Sequence, residues 1–239
     1  MTPSRQTLEV WGSLACFTRP ELKVERFSYP VITPSAARGI FDAICVNRHK
    51  YRWQVLKVEV LSPPGYIALR RKEVKYKTPS ERTIGQWMAG TVEPQPLRAG
   101  AGEEANTQRQ TMALKNVRYR LHAEIRPWNG YQDELVSMEA KFRRIAGAGK
   151  CFQQPYFGCR EFPAFYQLLE HGEEGTPPAS IDTHIGWMLY DVFDLSRPGE
   201  CTDRPFITLF EAEVRGGVME VPEFRSEERR VGKECRSRW

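Results

Sequence analysis

The alternation and recurrence of apolar positions along this chain mark out its elements. Gln6–Trp11 reads as a strand running from sheet edge to core, and the apolar stretch Leu14–Phe17 follows it. Arg19-Pro20 marks a turn, and a mixed segment continues to Tyr29. Thr33-Pro34 is a helix start. A threonine hydroxyl accepts backbone N–H groups at the N-cap, and the fixed φ of proline suits the first helical position. Ala36, Ala37, Ile40, Phe41 and Ile44 then recur at helical spacing, which sets one face of the helix against a sheet. Strand character returns over Trp53–Leu61, where Leu56, Val58 and Val60 alternate with Lys57 and Glu59, and Pro63-Pro64-Gly65 ends it. From Lys72 to Gln110 the pattern dissolves into Pro, Gly and scattered cations: Lys72, Lys75, Lys77, Arg82, Arg98 and Arg109. A connection of that length inside a compact domain is either a functional segment or a surface insertion.

The clearest strand is Asn116–Arg126. Val117, Tyr119, Leu121, Ala123 and Ile125 share one face; Arg118, Arg120, His122, Glu124 and Arg126 share the other. Such a cationic row suits phosphate contacts, and it equally suits a solvated sheet face with no ligand. Met138–Ala146 reads as a helix that presents Lys141, Arg143 and Arg144 and stops near Gly147 and Gly149. Farther on, Ile185, Trp187, Leu189 and Phe193 alternate, with Asp191 on the same face. Phe206–Val214 and Val218–Val221 flank Gly216-Gly217, a pair that supplies the positive φ angles of a type I′ hairpin. The order βαβ, insertion, β, α, then β-hairpins predicts an α+β fold. Two parts are expected: 1–149 with the insertion at about 72–110, and a smaller β-rich part over 150–224.

Charge changes the picture less than the formal net of +5 over 239 residues suggests. Arg225–Trp239, RSEERRVGKECRSRW, resembles an in-frame translation of a sequencing-library adapter and is set apart from the fold. Its six Arg/Lys and three Glu supply +3 of the +5, which leaves +2. Local distribution, not bulk basicity, therefore has to carry any argument for nucleic acid. No apolar run approaches a membrane span, and the N-terminus enters strand pattern at once, so a cytoplasmic chain is expected. Apart from Cys235, the cysteines are Cys16, Cys45, Cys151, Cys159 and Cys201. Their odd count and the lack of C-x-x-C spacing predict reduced thiols, no disulfide framework and no structural zinc.

Five segments then carry a resemblance. They are Val10–Tyr29 (VWGSLACFTRPELKVERFSY), Thr33–Ile44 (TPSAARGIFDAI), Arg52–Val55 (RWQV), Gln108–Ile125 (QRQTMALKNVRYRLHAEI) and Phe142–Leu169, which contains CFQQPYFGCREFP. Together they resemble the Cas five family, subtype d, of CRISPR-associated RAMP proteins, belonging to type I-C systems, and Phe157–Pro163 is the most specific part. The resemblance implies a ferredoxin-like (RRM-like) RAMP domain with a smaller β-rich C-terminal part. It implies binding of CRISPR repeat RNA and retention of the mature guide RNA by its 5′ handle, beside other subunits of the type I-C effector complex. It also implies metal-independent cleavage of the precursor at the repeat hairpin, with no cofactor. In that chemistry the upstream 2′-hydroxyl attacks the adjacent phosphate. It needs a base, a proton donor for the leaving oxygen and a cation facing the phosphorane.

The resemblance places a Tyr or His just after the first helix and a Lys-His pair before the Phe-Arg-Arg segment. This chain has Cys45 at the first position and Ser137-Met138 at the second, and none of the three matches. Nearby substitutes are His49 or Tyr51 as the base and Lys141 as the cation; a chain that binds without cutting is the alternative. The expected RNA-binding set is Arg38, Arg109, Arg118, Arg120, His122, Arg143, Arg144 and Arg160, with the Lys72–Gln110 segment as an arm that orders on RNA. Gly158, beside Arg160, would let backbone approach a ligand closely, and Tyr156 and Phe157 either stack on a base or pack in the core.

Overall fold

The computed structural model describes residues 2–22, 24–75, 79–94, 106–170, 175–199 and 204–224. Lys77, Arg98, Cys201, Cys235, much of the expected insertion and the segment 225–239 lie outside the described residues. In chain order the elements begin with strand β1 (Gln6–Ala15), strand β2 (Arg26–Phe27), helix α1 (Pro34–Ile44), strand β3 (Tyr51–Val60) and strand β4 (Gly65–Val74). Helix α2 (Glu81–Met88), strand β5 (Asn106–Pro127), helix α3 (Leu135–Gly147) and strand β6 (Phe165–Leu169) follow. Strands β7 (Thr183–Asp191), β8 (Thr208–Val214) and β9 (Val218–Glu220) end the described chain.

The main sheet runs β6-β1-β5-β3-β9. Its chain order β1-α1-β3-β5-α3-β6, with β5 antiparallel to both β1 and β3 and β1 antiparallel to β6, is the ferredoxin-like βαββαβ arrangement. Both helices lie on one face because their apolar stripes match the apolar faces of the strands. Phe41 of α1, Trp53 of β3 and Phe142 of α3 meet there with ring centroids 4.7 to 5.8 Å apart, all fully buried. Helix α1 starts as its sequence dictates: the Thr33 hydroxyl accepts the Ala36 N–H at 3.2 Å, with Pro34 in the first turn.

Three local readings change. The register of β3 shifts between Val55 and Lys57, so Leu56 is the extra residue of a bulge. The buried side chains are consequently Trp53, Val55, Val58 and Val60 rather than a strict alternation through Leu56. The patternless stretch is shorter than 72–110. Strand β4 pairs with β5 from Gly65↔Lys115 to Val74↔Asn106, extending the same sheet into an arm, and α2 follows it with no buried residue. Ile84, Trp87 and Met88 recur at helical spacing along α2, yet none of them is buried. In β7 the residues that reach the core are Met188, Tyr190 and Asp191, while Trp187 is exposed, because the register slips at both ends of the strand.

The glycine hairpin forms, but it links two sheets. Gly216 and Gly217 take φ of 54° and 78°, and Arg215 and Val218 exchange backbone hydrogen bonds of 2.9 Å across them. The turn carries the chain from the β7–β8 pair to β9, which pairs with β3 at the edge of the main sheet. Strand β6 closes the opposite edge against β1.

Candidate functional site

The helix-free face of the sheet gathers the polar positions of three strands. Register sets Arg120 of β5 opposite Glu9 of β1 on one side and Glu59 of β3 on the other. Arg120 Nη1 donates to Glu59 Oε2 at 2.6 Å, and its Nη2 donates to the Thr176 carbonyl at 2.8 Å. Arg118 Nε donates to Glu9 Oε1 at 2.8 Å, and Lys57 Nζ lies 2.7 Å from Glu59 Oε1. Burial opposes ionisation of Glu59, but the hydrogen bonds from Lys57 and Arg120 outweigh it and hold the carboxyl below its ordinary range.

His122 completes this network without adding charge. Burial, only partly offset by Glu59, lowers its pKa to about 4, so the ring is neutral at pH 7. Glu59 Oε1 lies 3.0 Å from Nε2 and the Thr7 hydroxyl 3.1 Å from Nδ1. A neutral ring meets both by donating from Nε2 to the carboxylate and accepting the hydroxyl at Nδ1. The exposed cationic row expected on β5 is therefore corrected. Arg120 and His122 are enclosed by Glu9, Glu59 and the chain at Thr176; Arg118 keeps a side chain 46% exposed.

The other expected site residues are divided among separate surfaces. Arg38 is largely buried: Asp191 accepts from its Nε at 2.7 Å and its Nη2 at 3.1 Å, and Asp42 accepts from Nη1. Burial alone would weaken this guanidinium, but Asp191 and Asp42 hold its pKa above the ordinary value. Lys141, Arg143 and Arg144 are exposed on α3, on the opposite face of the sheet from Arg118. Arg109 sits on the arm, 3.7 Å from Glu25, and Arg160 is exposed in the loop after β-bridge residue Tyr156. Gly158 has φ of 78°, and a Cβ there would stand 2.1 Å from the Cys16 carbonyl oxygen. Its close approach is thus to the protein's own backbone rather than to a ligand. Phe157 is fully buried against Phe17 and Tyr119, which settles it in the core.

The catalytic substitutes separate as well. His49 is exposed in the loop after α1 and lines a small groove with Asp42, Asn47, Arg48, Phe152 and Gln153. Among the described residues, no hydrogen bond or ion pair holds its ring. Tyr51 is buried, its hydroxyl donates to the Cys45 carbonyl at 3.0 Å, and burial raises its pKa. Its hydroxyl is thus engaged within the protein's own backbone. Cys45 is itself buried at the end of α1, and Met138 packs in the core while Ser137 is exposed. No hydrogen bond or ion pair joins Lys141 to His49, and no group of three or more His, Cys, Asp or Glu among the described residues could hold a metal ion.

Sequence reasoning did not single out Glu9, Lys57 and Glu59 as partners of the cationic row, nor Trp11 and Phe165 beside it. Their polar or exposed positions are visible in the alternation of β1, β3 and β6. What no single strand reveals is the register that sets them side by side.

A ferredoxin-like sheet with its helices on one face and a charged network on the other is the frame of an RRM-like RAMP domain. Comparison with known proteins narrows the class. The Cas5d family model, described as CRISPR-associated protein (Cas_Cas5), matches residues 7–222. A relative from Mannheimia succiniciproducens, named CRISPR pre-crRNA endoribonuclease Cas5d, is 36% identical over 231 residues, covering 94% of this chain and 98% of its own. One of the same name from Thermus thermophilus is 35% identical over 231 residues, covering 92% of each chain. A crystal structure of a CRISPR-associated protein shares the fold at a TM-score of 0.62 and 19% identity, with 95% and 96% of the two chains covered. The chain belongs to the Cas5d family.

Proposed function

We propose that this protein binds CRISPR repeat RNA and stays with the mature guide RNA as a subunit of a type I-C effector complex in the cytoplasm. The observation that carries this reading is the continuous family match over residues 7–222, with relatives named pre-crRNA endoribonucleases over more than nine-tenths of the chain. Exposed cations support it on both faces: Arg118 on the sheet, Lys141, Arg143 and Arg144 on α3, and Arg160 in the loop that follows. Among the described residues no helix is long and apolar enough to cross a membrane.

Cleavage, in this reading, centres on the groove at the end of α1. His49 takes the proton of the attacking 2′-hydroxyl, the neighbouring guanidinium of Arg48 faces the phosphorane charge, and water in the exposed groove protonates the departing 5′ oxygen. Incubating the purified chain with its repeat RNA in EDTA tests this. Scission at the hairpin base is expected, and His49→Ala lowers its rate about 10²- to 10⁴-fold with RNA affinity nearly unchanged. Intact but gel-shifted RNA would sink the nuclease reading. The second reading, a non-cutting subunit that holds the 5′ handle, is favoured by the core placement of Met138 and by the enclosed hydroxyl of Tyr51.

A further inference from the structure

One row of the helix-free face departs from the charged network beside it. Phe165 of β6, Trp11 of β1 and Arg118 of β5 stand directly opposite one another across three adjacent strands. Trp11 is 38% and Phe165 54% exposed, and their rings stack with centroids 6.4 Å apart and planes inclined by 27°. Their neighbours on the other face of the same strands, Val10 and Tyr119, are buried, so core packing does not account for the two rings. They border an open trough of about 870 Å³, whose rim carries the polar side chains Ser13, Ser62, Asn116 and Gln167. That volume lies in the ~300–1,000 Å³ range of ligand sites.

The surroundings say what would fit. Two partly exposed aromatic rings offer a base a stacking surface whatever the base is. Amide and hydroxyl groups on the rim can meet its edge. Arg118 is bound by Glu9 but nearly half exposed, and the network behind it has three cations (Lys57, Arg118, Arg120) against two carboxylates (Glu9, Glu59). The neutral His122 does not alter that balance. A flat apolar platform edged by a guanidinium and by amides suits an unpaired nucleotide better than an apolar protein surface.

We infer that Trp11, Phe165 and Arg118 form a subsite for an unpaired nucleotide of single-stranded RNA, with the base on the rings and a phosphate at the guanidinium. The inference rests on the RNA-binding reading above and specifies which part of the RNA the sheet face takes. Its test measures Kd by fluorescence anisotropy for the full chain, with labelled single-stranded oligouridine and separately with repeat hairpin RNA. Phe165→Ala and Trp11→Ala are each expected to weaken oligouridine binding about 5- to 100-fold, the effect of losing one stacked base. Trp11→Phe keeps most of the affinity. The slope of log Kd against log salt stays as in wild type for all three, because no phosphate contact is lost. If both alanine variants are folded and bind oligouridine as wild type does, while wild type holds the hairpin, the subsite is overturned and the RNA reading stands. If wild type holds neither RNA, both fall. Should Trp11→Ala fail to fold, Phe165→Ala decides the matter, since its ring is more than half exposed.

Discussion

Of the arginines that lie between two carboxylates among the described residues, Arg38 and Arg120 serve different ends. Arg38 lies between Asp42 and Asp191, and Asp191 also accepts the N–H groups of Val192 and Phe193 at 2.7 and 3.0 Å. The Arg38–Asp191 bonds fasten α1 to the end of β7, while those to Asp42, Val192 and Phe193 hold the two partners in place within their own segments. Arg120 lies between Glu9 and Glu59 on the sheet, but its network continues outward to Arg118, which water reaches. The difference is one of termination. A closed cluster locks two elements together, whereas an open chain of pairs delivers a positioned charge to the surface. An arginine in a sequence does not announce which kind it belongs to.

Removing one partner from the closed cluster should give the largest effect. Asp191→Ala leaves the Arg38 guanidinium buried with Asp42 alone and is expected to cost about 3–5 kcal/mol in urea unfolding. Replacing Arg38 and Asp191 together by Met and Leu should cost much less, because no charge is then stranded. Equal losses in the two variants would break the contrast.

The open network should show itself in acid. His122 has a folded pKa of about 4 against an ordinary 6.5, so the unfolded chain takes up its proton first. Stability is therefore unaffected above pH 6.5 and falls as the pH drops toward 4, by on the order of 2–3 kcal/mol. Glu59, held low in the fold, adds its own loss below its ordinary value of 4.5. His122→Gln should flatten the profile of Tm against pH between 6.5 and 5, and an unchanged slope would remove His122 from the account.

A smaller effect separates the two arginines of β5. Arg118→Gln should lower the salt slope of RNA binding by about one. Arg120→Gln should leave that slope alone and cost about 1–3 kcal/mol of stability instead. Smallest of all, Thr33→Ala removes the cap of α1 for about 1 kcal/mol, read as a shift in the urea midpoint. It marks the level against which the arginine effects are judged.

Features encoded within a few residues of sequence were legible. The cap at Thr33, the alternation of β5, the glycine turn at 216–217 and the stop of α3 at Gly147 each rest on local rules and appear where those rules put them. Features that depend on how strands align were not. The bulge at Leu56, the slips in β7 and the match of Glu9 and Glu59 to Arg120 follow from register, which arises only when distant segments meet. The candidate site suffers most from this. Its residue types can be picked out along the chain, but their exposure depends on neighbours more than 100 residues away, as for Arg118 and Glu9, 109 apart. Tyr51 and Arg38 were plausible from position alone, and both are occupied by contacts within the protein.

Strand β1 shows what such long separations mean while the chain is being made. Thr7 has its sheet partner at His122, 115 residues later, and its other neighbour at Leu169. At about 5–20 residues per second, β1 leaves the ribosome roughly 6–23 s before the strand that covers its edge. During that interval Leu8 and Val10, fully buried in the finished protein, have no sheet to enter. The first strand synthesised is thus among the last secured, and its two unsatisfied edges are the natural place for a nascent chain to be held by a chaperone or lost to aggregation.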